Sequence, residues 1–242
     1  MCPDKIIIIP DLHGREFWRE VVKGMDPDTH VVFLGDYLDP YEDDWIYWSD
    51  AFKALKDIIT FKETHPEQVT LLLGNHDLHY LYPELRGSRY NEYQEGKIRR
   101  TLEEHLDSFR MAAECSLAGT RYLFTHAGIH TDWVRRHSAL FGPLEKVSAE
   151  TFNRMMFSPE FVQALSDVSW RRGGDAPSGS MIWADMDEYE LSVPIVPDMI
   201  QICGHTRLRG GKPKELNQVI CLDCRRAFTL AADGAIHSYA RR

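Results

Sequence analysis

No apolar run in the 242 residues approaches the roughly eighteen that a membrane-crossing helix needs, so no such helix is expected. Positive charge is in short supply: 28 Lys and Arg stand against 37 Asp and Glu, a net charge of -9. That deficit argues against a general electrostatic hold on nucleic acid, which depends on clustered cations meeting phosphates. It leaves only local pairs such as Arg99 and Arg100, or Arg171 and Arg172. Cysteine is sparse as well. Five thiols, Cys2, Cys115, Cys203, Cys221 and Cys224, are scattered through a chain large enough to need no staples, which points to reduced thiols and a cytoplasmic setting. The opening MCPDKIIII carries an acidic residue and only a short apolar run, and does not read as a cleavable signal. Internal repeats, low-complexity tracts and long linkers are also missing, so a single domain over residues 1–242 is expected.

What is present is a repeated local pattern. LLLGNHD at Leu71 to Asp77 is an apolar run of strand length that stops at a glycine and then delivers an amide, an imidazole and a carboxylate. IIIIPDLHG at Ile6 to Gly14 and VVFLGDYLD at Val31 to Asp39 have the same form. YLFTHAG at Tyr122 to Gly128 and MIQICGHT at Met199 to Thr206 repeat it with histidines. Strand ends are where α/β proteins place their sites. Any one of these residues could be an ordinary capping or core group, but five matching endings contribute Asp11, His13, Asp36, Asn75, His126 and His205 to one expected metal site.

The segments between fit an α/β fold. Phe17, Trp18, Val21, Val22 and Met25 fall at helical spacing, and Phe52, Leu55, Ile58 and Ile59 line one face of a second helix. Strand, helix, strand, helix, strand is the order of parallel crossover units, which gather their loops at one sheet edge. Leu78 to His105 reads as helical around a polar break at Arg86 to Asn91. A hairpin is expected around the Gly119–Thr120 turn, helices from Thr131 to Ser166, and strands at Met199–Cys203, Gln218–Leu222, Phe228–Ala231 and Ile236–Tyr239. The glycines and proline of Trp170 to Ser180 suggest a mobile loop.

Asp, His and Asn donors suit manganese, iron or zinc. Six are too many for one tetrahedral ion but suit two ions, which at roughly 3.5–4 Å separation clamp a phosphoryl group and activate a water. DLHG, GDYLD, GNHD, THAG and GHT, in this order across nearly the whole chain, resemble the calcineurin-like metallophosphoesterases. The resemblance is to the branch containing serine/threonine protein phosphatases and symmetrical diadenosine tetraphosphate hydrolases. It implies a four-layer α/β/β/α sandwich with two mixed β-sheets, and a dinuclear phosphoester hydrolase binding two divalent ions, manganese first. By the same resemblance Asp11 and His13 hold one ion, Asp36 bridges, and Asn75, His126 and His205 hold the other. A bridging hydroxide attacks phosphorus without a phosphoenzyme, and His76 protonates the leaving oxygen with Asp39 behind it. Such a carboxylate raises the imidazole pKa, keeping the acid protonated near neutral pH while two cations push the other way.

Three departures sharpen or loosen the match. Many relatives carry a histidine where Arg207 stands, and the protein phosphatases likewise lack it. Protein phosphatases follow GDxxD with an arginine that grips phosphate, whereas here Pro40 and Tyr41 follow Asp39, so Arg171 and Arg172 become the candidate phosphate-binding cations. CLDCR at Cys221 to Arg225 replaces a common Asp-x-Gly turn. GNHDLH resembles the dinucleotide hydrolases and IWADMD the protein phosphatases, leaving a phosphoprotein, a nucleotide or a small phosphomonoester as the substrate. The rival classes are a metal-binding scaffold without turnover and a nuclease. The retained His76 and Asp36 count against the first and the charge deficit against the second. Among neighbours of the motifs, Asp77 is expected to cap a helix starting near Leu78, His79 and His130 to be exposed or hydrogen-bonded, and Cys221 and Cys224 to be packing thiols. Trp45, Tyr47 and Trp48 are expected in core or loop packing rather than as a base-stacking platform.

Overall fold

Four consecutive isoleucines, Ile6–Ile9, are all within 1% of full burial, which a strand achieves only when both of its faces are covered. In the computed structural model, which describes residues 5–23, 25–195 and 198–239, they form the middle of a sheet. The strands in chain order are β1 (Lys5–Ile9), β2 (Thr29–Phe33), β3 (Val69–Leu72), β4 (Phe109–Arg110), β5 (Ala112–Leu117), β6 (Thr120–Thr125), β7 (Met199–Cys203), β8 (Lys214–Leu216), β9 (Val219–Cys221), β10 (Phe228–Ala231) and β11 (Ile236–Ser238). The helices are α1 (Phe17–Val22), α2 (Trp48–Thr64), α3 (Asn75–Leu81), α4 (Glu95–Glu104), α5 (Thr131–Arg136), α6 (Ser138–Phe141), α7 (Ala149–Met155) and α8 (Pro159–Leu165). The chain divides into two compact units, one running to Arg110 and resuming at Arg225, the other being Met111–Cys224.

The first unit holds a six-stranded sheet in the order β11-β10-β1-β2-β3-β4. β1, β2, β3 and β4 run parallel, and β10 and β11 add antiparallel pairings beyond β1. Parallel neighbours require crossovers, and α1 and α2 supply them. α2 buries Phe52, Leu55, Ile58 and Ile59, the stripe its sequence spacing predicts. Gly35 and Gly74 let the loops after β2 and β3 touch: a Cβ on Gly35, whose φ is +99°, would lie 2.5 Å from the Gly74 nitrogen.

The second unit carries a five-stranded sheet in the order β5-β6-β7-β9-β8. β6, β7 and β9 are parallel, while β5 and β8 close the edges antiparallel, so both sheets are mixed, as expected. The β5–β6 hairpin turns through Ala118 and Gly119, both left-handed at φ 50° and 80°. Trp170 to Ser180 differs from the mobile loop its composition suggests. A short 3-10 turn, a bridge between Ser169 and Ala176 and hydrogen bonds from Gly174 and Ala176 to Ser169 and Val168 tie it down. Its Gly174 allows close packing, since a Cβ there would meet the Val168 carbonyl oxygen at 2.1 Å. Cys221 and Cys224 are buried and outside any disulfide, in keeping with packing roles, and Cys2 lies outside the described residues.

Candidate metal centre

In the first unit the parallel strands end together, and the residues that follow them converge. One ligand atom each from Asp11, His13 and Asp36 lies within 4.8 Å of the others, and all three residues are buried. The backbone is bent to do this. His13, Asp36 and Asp39 sit in the left-handed region at φ 45°, 54° and 58°, a conformation costing these residues about 1–3 kcal/mol each. The Asp36 carbonyl holds the first loop by accepting the N–H groups of Leu12 at 3.0 Å and His13 at 2.8 Å. Its carboxylate accepts the His76 N–H at 2.9 Å, which ties the second loop to the start of α3. Asp77 accepts three further N–H groups, from Gly74 at 2.8 Å, Asp36 at 2.8 Å and Tyr37 at 3.1 Å. The helix starts at Asn75, earlier than expected; Asp77 caps it as expected, closing a capping box through the Gly74 N–H, and also ties this helix start to the loop after β2.

His76, the expected proton donor, places Nδ1 2.8 Å from Asp39 Oδ2. Its Nε2 lies 2.9 Å from Arg89 Nη2, and because a guanidinium only donates, Nε2 accepts and the imidazole proton resides on Nδ1. Burial pulls the His76 pKa down, the Asp39 hydrogen bond lifts it and the Arg89 charge lowers it again, leaving about 4. The carboxylate thus pushes in the expected direction, but desolvation outweighs it. Burial raises the Asp39 pKa, but the His76 hydrogen bond and the close approach of the His76 and His79 rings leave it below the ordinary carboxylate value. His79 is fully buried, with Nε2 2.8 Å from Asp39 Oδ2 but off line for a hydrogen bond. Its role is electrostatic support rather than exposure. The Tyr80 hydroxyl donates to Asp39 Oδ1 and accepts the Asn91 N–H at 3.1 Å.

These contacts show what the sequence reading missed. The polar break at Arg86 to Asn91 is part of the site: Arg89 reaches His76 and the Asp39 carbonyl, Tyr90 stacks on Tyr80, and Asn91 holds the Tyr80 hydroxyl. Its one advance signal was an arginine between two helices whose preceding motif lacked a cation. Trp45 and Tyr47 also depart from expectation, being 90% and 77% exposed. They flank a short acidic 3-10 turn, Glu42–Asp44, that Arg15 and Arg225 anchor through Asp44, so the turn is fixed without burying them.

In the second unit His126 follows β6 and His205 follows β7, its φ left-handed at 64°. His126 Nε2 and His205 Nδ1 are 3.1 Å apart, and Trp183 packs edge-on against the His205 ring with centroids 5.7 Å apart. Arg172 pairs with Asp185 at 2.9 Å and donates to Thr206 at 2.8 Å. Arg171 lies over the exposed Trp170 ring, 4.7 Å from its centre.

Each donor set suits a divalent cation. Burial, followed by the charges of His76 and Arg89, holds the His13 pKa well below its ordinary value, so the ring is neutral. Its Nδ1 donates to the Leu38 carbonyl at 2.8 Å, which leaves the Nε2 lone pair beside Asp36, 3.6 Å away. A neutral imidazole fixed through its other nitrogen, next to buried carboxylates, is the usual geometry of a metal ligand. Two imidazole nitrogens facing each other at 3.1 Å in the second unit form a similar pair of donors.

A family model described as calcineurin-like phosphoesterase matches residues 4–206. Over 131 residues the chain is 29% identical to serine/threonine-protein phosphatase PP1-delta of Caenorhabditis elegans, a match covering 51% of this chain and 39% of that protein. The chain thus spans about two fifths of the length of that curated relative. In fold it is similar to the cold-active protein-tyrosine phosphatase of a psychrophilic Shewanella species, with TM-score 0.56 and 16% identity over 98% of this chain and 81% of that one. It is also similar to a protein serine/threonine phosphatase from Saccharomyces cerevisiae, with TM-score 0.53 and 16% identity over 98% and 80% of the two chains.

Proposed function

Since the chain belongs to the calcineurin-like phosphoesterase family, we propose that it is a metal-dependent phosphatase, hydrolysing phosphomonoesters in the manner of the serine/threonine phosphatases, with its two units acting as one domain over residues 1–242. The observation that carries this reading lies within the first unit. The Asp11, His13 and Asp36 donor set stands beside the His76–Asp39 pair, with the His13 and His76 rings edge to face and 5.1 Å apart. A charge-handling centre and a proton donor in contact are the two things phosphoester hydrolysis requires.

Asp11 and His13 would hold one divalent ion, Asp36 would be shared, and Asn75, His126 and His205 would hold the second, with manganese as the expected metal. When bound, the pair would act as Lewis acids on the phosphoryl oxygens and activate the attacking water. For His76 to protonate the departing ester oxygen, Arg89 must release Nε2 and that nitrogen must take up a proton from solvent, which the negative charge of a bound phosphate favours. Asp39 fixes the ring through Nδ1, and Tyr80 and His79 fix Asp39 in turn. His79, part of the GNHDLH run that resembles the dinucleotide hydrolases, is buried against this pair, so that run has a structural reason independent of any nucleotide. A phosphorylated protein or other phosphomonoester is the substrate this supports over diadenosine tetraphosphate.

Manganese-loaded protein assayed on phosphoserine peptide, aryl phosphates and diadenosine tetraphosphate tests the reading. Asp36→Asn should abolish turnover and lower bound metal, while His76→Ala should keep its metal and slow poor leaving groups most. Equal losses on activated aryl and alkyl esters would remove His76 from the acid role, and a clear preference for the dinucleotide would displace the monoester reading.

A further inference from the structure

The first unit contains a pocket of about 280 Å³ lined by Asp39, Tyr41, Trp45, Trp48, Arg89 and Asn91. Three arginines surround the Tyr41 ring, with Arg89 lying over it 3.8 Å from the centre and Arg15 and Arg225 each 5.6 Å away. Two of them have carboxylate partners: Arg15 pairs with Asp44, and Arg225 pairs with Asp44 at 2.9 Å and lies 3.6 Å from Asp43. Arg89 has no carboxylate partner among the described residues. Its guanidinium donates to the Asp39 carbonyl and to His76 Nε2, a bond that must break for that nitrogen to face a departing ester oxygen, and its remaining N–H groups have no acceptor among the described residues. Tyr41 fixes the plane of the fork from one side, and the left-handed φ of 61° at Arg89 shows a backbone strained to deliver it there. A planar, oriented, charge-uncompensated guanidinium beside a proton donor is a bidentate oxyanion site.

The rest of the pocket limits what can be attached to that oxyanion. Its volume falls just below the range of drug-sized ligand sites, about 300–1,000 Å³, enough for one side-chain-sized group rather than a second nucleotide. Its walls include the Trp45 and Trp48 rings, and Trp45 is held 90% exposed in a left-handed conformation at φ 54°. Glu42 also lines the pocket, which disfavours a run of further phosphates. We propose that Arg89 binds the substrate's phosphate, supplying the cation absent after Asp39, and that the aromatic wall receives the esterified group, an aryl group such as a phosphotyrosyl side chain. This rests on the phosphomonoesterase reading for its chemistry but not for its test.

Calorimetric titration of manganese-loaded protein with inorganic phosphate reads Arg89 directly, without turnover. Arg89→Ala should weaken phosphate binding about tenfold to hundredfold while metal content and Tm stay at wild-type values, and Arg89→Lys should recover part of the loss. In parallel, Trp45→Ala should reduce the ratio of kcat/KM for phosphotyrosine peptide over phosphoserine peptide. Wild-type protein that binds phosphate, loses it in Arg89→Ala and turns over no ester would uphold the arginine and overturn the hydrolase. Unchanged phosphate affinity in Arg89→Ala, loss in Arg171→Ala or Arg172→Ala instead, or no phosphate binding by the wild type would overturn the arginine assignment. An unmoved aryl ratio in Trp45→Ala would overturn the aromatic wall.

Discussion

His76 refuses a proton until about pH 4 because it is buried, whereas in an unfolded chain it titrates near its ordinary 6.5. Between those values the unfolded state binds a proton that the folded state does not, so stability rises with pH across the window and is lost as pH falls through it. The residue alone accounts for about 3 kcal/mol, and His13, lowered in the same direction, adds to it. Chelator-treated protein should therefore show a melting temperature that falls steeply from pH 7 to pH 4.5, and His76→Gln should flatten the slope. A wild-type profile flat over that range would mean that the imidazole is solvated. Tyr80 sets a second limit on the same pair. Removing its hydroxyl in Tyr80→Phe strips Asp39 of one donor and the Asn91 N–H of its acceptor, so kcat should fall about tenfold with metal content unchanged.

Among the elements, the loops after β2 and β3 meet through two glycines, and Gly35→Ala would place a Cβ against backbone at a φ that disfavours any side chain. A stability loss of about 2–5 kcal/mol is expected in thermal unfolding, together with weaker metal retention, because Asp36 is the next residue. Strand ends of this kind are legible because an apolar run followed by Gly and a ligand type leaves a signature within a few residues, as at Ile6–Gly14 and Leu71–Asp77. α2 was equally plain, its buried stripe recurring at helical spacing. The Arg86–Asn91 loop was opaque for the opposite reason. Its value lies in contacts with Asp39, Tyr41 and His76, up to 50 positions away in sequence, and nothing in a polar stretch announces such partners. Trp45 misled because an aromatic residue usually implies burial, whereas here paired acids hold the turn in place.

At the scale of the whole molecule, the proposed ligands are split by sequence, with Asp11, His13, Asp36 and Asn75 in one unit and His126 and His205 in the other. If the second ion depends on the histidine pair, His126→Ala should bind one manganese where the wild type binds two, as measured by atomic absorption after gel filtration. Two ions retained would remove His126 from the ligand set. The discontinuity of the first unit also has a consequence in time. A ribosome releases β1 first and its antiparallel neighbour β10 only after the whole second unit has been made, a wait of roughly ten to forty seconds at bacterial and eukaryotic elongation rates. Throughout it one edge of the Ile6–Ile9 strand stands open, so nascent chains stalled at Cys224 should be held by chaperones or aggregate, while chains released through residue 239 should not.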